Sequence, residues 1–112
     1  MFRWFVHPHA VDAFGERANL IAMPTGERLQ LLKRELSKVT QEDLKPGRNN
    51  GEFVIRIAVA HKPVIYAIAI PMTDSIKGYD FRIVTIVTRS MYSGWRKDQK
   101  LGTFADLLKD RE

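Results

Sequence analysis

Three apolar runs between Glu52 and Thr88, FVIRIAV, KPVIYAIAI and DFRIVTIVT, constrain this chain more than any other feature. Each is rich in Val, Ile, Phe, Tyr and Thr and bounded by turn-forming residues, the composition of β-strands. Phe53, Ile55, Ile57 and Val59 share one parity, as do Val64, Tyr66, Ile68 and Ile70, and Phe81, Ile83, Thr85 and Val87. The other parity holds Val54, Ala58, Ile65, Ala67, Ala69, Val84 and Ile86, so it is apolar too. A sheet apolar on both faces needs helices over one face and partial cover on the other. The charged interruptions are Arg56 and Arg82, one on each outer run and both on the less bulky parity.

The flanks supply the helices. Phe2 to Val6 reads as a short first strand stopped by Pro8, and residues 9–20 as a helix with Val11, Phe14 and Ala18 on one side, weakened by Gly15. Thr25 is a suitable N-cap for a second helix, whose Leu29, Leu32, Leu36 and Val39 form a stripe. One further turn is expected at residues 40–43, then a turn-rich loop over residues 45–51. The connection at residues 60–63 is short enough to require an antiparallel hairpin, whereas residues 71–80 make a longer, exposed and mobile one. Thr103 is placed to cap a short C-terminal helix, FADLLKD. The expected architecture is a single α+β domain over residues 1–112, in the order β-α-α-β-β-β with that short helix at the end. Two helices pack on one face of an antiparallel sheet of about four strands, and the first strand pairs at an edge or beside the last.

With 112 residues the chain is long enough for one hydrophobic core and too short for two. It has no cysteine, which rules out disulfides, thiolate chemistry and cysteine-based zinc sites and fits a reducing cytoplasm. No apolar run has the length to cross a bilayer, and MFRWFVHPH lacks the build of a secretory signal. A cytoplasmic location with no membrane partner is the expectation. The net charge of +5 attracts polyanions, nucleic acid above all.

Two groups of residues point to that partner. Arg56 and Arg82 are costly within β-branched strands unless their face meets water, an acid or a ligand. Their alternatives are a solvent-facing position or pairing with Glu52, Asp74 or Asp80. The second group is the stretch RSMYSGWRKDQK, which interleaves Tyr92 and Trp95 with Arg89, Arg96, Lys97 and Lys100. Exposed aromatics stack on unpaired bases while cations follow phosphates. The alternative is that Trp95 enters the core and the cations form a solvated rim. His7, His9 and His61 have no metal-ligand spacing, and nothing matches a phosphate-binding glycine loop or a nucleophile elbow, so neither metal nor cofactor is expected.

The order of elements resembles the RelE/ParE-like toxin fold. HAVDAFGER resembles the HAxxRxxxR head of small RelE-like families of phages and mobile elements, with His9, Ala10 and Arg17 matching. Residues 83–88 resemble the Thr-rich last strand of those families, and Ala13 stands where the first arginine would be. The resemblance implies metal-independent RNA cleavage, with His9 as general acid or base and Arg17, Arg56 and Arg82 as phosphate clamps. Arg89 or Tyr92 would lie at the end of the sheet. Attack by a 2′-hydroxyl needs a base, a leaving-group acid and a cation for the phosphate, and arginine's planar fork suits the last role. The bland alternative is that His9 caps the first helix and Arg17 pairs with Asp12 or Glu16.

The functional expectation is thus a small basic RNA-binding protein, extended by the resemblance to a ribonuclease toxin acting on RNA or ribosome-bound mRNA and neutralised by an acidic antitoxin. The rival is a non-enzymatic phage or mobile-element protein that inhibits a host protein, using Trp4, Tyr92 and Trp95 as anchors. A ParE-like action on a topoisomerase by protein contact is a third possibility.

Overall fold

The computed structural model describes residues 2–47, 51–72 and 78–91. Strand β1 (Trp4–Val6) leads into helix α1 (Pro8–Arg17) and then helix α2 (Thr25–Leu36). After a 3-10 turn at Gln41–Asp43 come β2 (Lys45–Pro46), β3 (Phe53–Ile57), β4 (Ile65–Pro71) and β5 (Phe81–Thr88). They form one five-stranded sheet in the order β1-β5-β4-β3-β2. The fold is α+β, as the apolar runs require. The sheet has one more strand than expected, and it is mixed because β1 runs parallel to β5. That places the first strand both at an edge and beside the last one. The C-terminal helix expected after Thr103 lies outside the described residues.

Several local expectations change. His7, not His9, is the N-cap of α1: its Nδ1 accepts from the His9 amide at 3.1 Å, while Pro8 at the first helical position sacrifices no bond. Thr25 is the first residue of α2 rather than its cap, and its hydroxyl accepts from Arg28 Nη2 at 3.0 Å. At the expected extra turn, the Asp43 carboxylate accepts from both the amide and the hydroxyl of Thr40. The loop expected at residues 45–51 begins as a strand, because Lys45 and Pro46 pair with Val54 and Phe53. Pro46 is tolerated there because β2 is an edge.

The core lies between the helices and one face of the sheet. Ala10, Ala13 and Phe14 of α1 and Leu32 and Leu36 of α2 meet Ile55, Ile57, Ile65, Ala67, Ala69, Ile83 and Ile86. Small Ala67 and Ala69 on the central strand let helices approach the sheet closely. Trp4 stacks on Phe81 at 5.2 Å, with Phe2 and Phe53 edge-on to Phe81. Val54, Tyr66, Ile68 and Val87 form a second buried cluster on the opposite face, with Val64, Val84 and Met91 packed against it.

Gly15 is a packing device rather than a weak spot. A Cβ there would come 2.7 Å from Arg28 Cδ, so the bare backbone lets the α2 arginine lie across α1. Gly15→Ala is expected to lower stability by about 1 kcal/mol, overpacking outweighing its better helix propensity. In an Arg28→Ala background the same change should raise stability by up to about 1 kcal/mol. Urea unfolding of the four proteins in this cycle reads the sign reversal.

Candidate nucleic-acid interface

Strand alternation and register set which side chains emerge opposite the helices. In β3, Phe53, Ile55 and Ile57 point toward α1 and α2, leaving Val54 and Arg56 on the far face. In β4 the helix-facing set is Ile65, Ala67 and Ala69, so the bulkier Tyr66, Ile68 and Ile70 share the face of Arg56. Phe81 and Ile83 of β5 are core residues, which turns Arg82 outward. Simple alternation fails after that. The register with β4 shifts between Ile68 and Ala69, leaving Val84 as an extra residue, so Ile86 rather than Thr85 returns to the core.

Arg56 and Arg82 therefore emerge on the same face. Arg56 stands directly opposite Tyr66, and Arg82 opposite Ile70. Four residues along β4 and two strand spacings across put the two Cα positions about 16 Å apart on the diagonal. Their surroundings differ. Arg82 is exposed. Arg56 is half-buried, its Nε is shielded from water without a hydrogen-bond partner, and it lines a groove with Glu35, Lys38 and Asp43. Glu35 is itself engaged by Lys38 at 3.1 Å.

The other candidates sit elsewhere. His9 is exposed at the start of α1, with Nε2 3.4 Å from the Thr85 hydroxyl, just past the point where β1 ends. Thr85 lies three residues beyond Arg82, about 10 Å along β5, so His9 sits past Arg82 on the edge of β5 that β1 pairs with. Arg17 is half-buried at the far end of α1, about 12 Å from His9 by helix rise and on the helical layer. Arg17, His9 and the two sheet arginines do not converge on one pocket. Arg89 is exposed immediately after β5. Tyr92, Trp95, Arg96, Lys97 and Lys100 lie outside the described residues.

Two further residues are spent on structure. Ala13, where the RelE-like head carries arginine, is 2% exposed in the core, so arginine there would have to bury its guanidinium. Trp4 is 8% exposed and packed among Phe2 and Phe81, which removes it as a surface anchor.

Residues that the apolar runs alone do not single out complete the surface beside Arg82. Phe5 is its direct partner in β1, and the Tyr79 ring meets Phe5 edge-on at 5.5 Å. The alternation of Phe2, Trp4 and Val6 carried the signal, because it turns Arg3 and Phe5 to the other side. Among the described residues, no group of three or more His, Asp and Glu gathers as a metal site, and no helix is long and apolar enough to cross a membrane. Comparison with protein-family models, curated proteins and solved structures finds no match to this chain.

Proposed function

We propose that this chain is a small RNA-binding protein that meets RNA with Arg56 and Arg82, at the margins of the sheet face opposite the helices, on either side of its buried centre. The observation that carries it is the emergence of Arg56 and Arg82 on that one face, in a chain of net charge +5. A guanidinium fork is matched to phosphate oxygens, and an array of cations on a sheet suits an extended polyanion better than a small ligand. The resemblance to RelE-like toxins extends this to metal-independent cleavage. In that extension His9, at the β5 edge it shares with Arg82, moves the proton, and the arginines hold the phosphate. Binding needs only the shared face, whereas cleavage also needs RNA to pass the edge where β1 ends.

The test is to incubate the purified protein with total RNA and with ribosome-bound message at low salt. Binding that weakens steeply as salt rises supports the proposal, and cleavage lost in His9→Ala supports its enzymatic extension. Absence of both binding and cleavage overturns it. Capture of a host protein that survives nuclease and high salt would favour the inhibitor alternative.

A further inference from the structure

The edge formed by β1 and β5 carries a second layer of chemistry. Arg3 and Phe5 alternate with core-facing Trp4, and Arg82 with core-facing Phe81, so all three emerge away from the helices. Phe5 is half-buried and lies directly across from Arg82. Tyr79, also half-buried, contacts the Phe5 ring at 5.5 Å with an interplanar angle of 61°. The Arg3 guanidinium donates to the Gly78 carbonyl at 3.4 Å, and its Nη1 would lie only 2.6 Å from a Cβ at that position. Gly78 also has φ +72, so both its conformation and its lack of a side chain hold Arg3 against the start of β5. Among the described residues, Asp80 is the acid at this edge. Its Oδ2 accepts from the Arg3 amide at 2.8 Å, which orients the backbone that presents the guanidinium.

We infer that this Arg3–Phe5–Tyr79–Arg82 edge is a stacking site for an unpaired base, making the preferred ligand single-stranded rather than duplex RNA. The inference rests on the RNA-binding proposal and deepens it. Two cations flanking a pair of aromatic rings have the composition that single-strand binders use, rings taking bases while guanidiniums take the adjoining phosphates. A duplex hides its base faces in the stack, so it gains nothing from Phe5 or Tyr79.

The experiment is a fluorescence-anisotropy titration of the full chain with a labelled twelve-nucleotide uridine strand and a blunt RNA duplex of equal length, repeated across salt. The wild-type protein is expected to favour the single strand. Phe5→Leu keeps apolar cover but removes the aromatic face. It should lose about tenfold in single-strand affinity, leave duplex affinity unchanged and leave the salt slope unchanged. Tyr79→Leu is the parallel variant and decides the matter if Phe5→Leu melts at lower temperature. Equal affinity for both RNAs, with folded leucine variants binding as the wild type does, overturns the stacking site and leaves the RNA-binding proposal standing. If the wild type binds neither RNA, both fall.

Discussion

Replacing Arg56 and Arg82 together by alanine is expected to weaken single-stranded RNA binding about a hundredfold and to flatten its salt dependence by about 1.4 units of slope. Each charged hydrogen-bond partner of a phosphate is worth about tenfold, and each neutralised phosphate of a single strand contributes about 0.7 to the slope. Their Cα positions lie about 16 Å apart, far enough for the losses to add. The two single variants then divide the effect. Arg82 is exposed, so Arg82→Ala tests contact with little disturbance of the fold. Arg56 lines a groove with Glu35, Lys38 and Asp43, in which Glu35 is already paired with Lys38, and its shielded Nε has no hydrogen-bond partner. If RNA reaches both arginines, both singles lose affinity and both lower the slope. A double variant that binds like Arg82→Ala would confine the interface to the β1–β5 edge, and one that binds like the wild type would remove the face as an RNA surface.

The layered fold was legible because three β-branched runs, the first two joined by a short connection, have few arrangements that bury both parities. The pairing of β1 was legible only as a position. Parallel or antiparallel direction depends on where the chain returns after two helices, and strand periodicity carries no such information. Strand β2 was invisible for a different reason: two residues, one of them proline, have no periodicity to detect. The bulge at Val84 defeated alternation itself. Up to Ile83 the inward residues follow the expected parity, and beyond it Ile86 takes the inward place that Thr85 would have held.

Legibility of the candidate site followed the same division. That Arg56 and Arg82 share a face follows from strand parity and register, and both residues precede the bulge or lie on another strand. What surrounds each one does not follow from parity. The acids near Arg56 come from α2 and the 3-10 turn, elements distant in sequence whose packing angle decides the neighbourhood. The sequence does not mark Phe5, because an aromatic residue in a short apolar strand reads as core, or Tyr79, because it stands in the connection before β5. Trp4 does belong to the core, and its neighbour Phe5 turns outward by one step of the pleat.

Phe14→Ala is expected to have the largest effect on folding. Phe14 is fully buried at 0% exposure, in the cluster where α1 and α2 meet the sheet. Truncating it removes the transfer free energy of a ring and leaves a cavity that Leu32, Leu36 and Ala67 fill only in part, a cost of about 3–5 kcal/mol. A domain of this size has about 5–15 kcal/mol in hand, so the variant is left near the margin of folding. With a urea dependence of about 2 kcal/mol per molar, the unfolding midpoint should fall by about 2 M. Phe14→Leu keeps most of the volume and should lose less than about 1.5 kcal/mol. The pair also separates stability from binding. Phe14 lies under the helices, whereas the proposed RNA surface is on the other side of the sheet, so folded Phe14→Leu protein should bind a single strand as tightly as wild type. A Phe14→Leu variant that stays fully folded yet binds RNA tenfold more weakly would show that ligand contact extends to the helical layer, and would draw His9 and Arg17 into the interface.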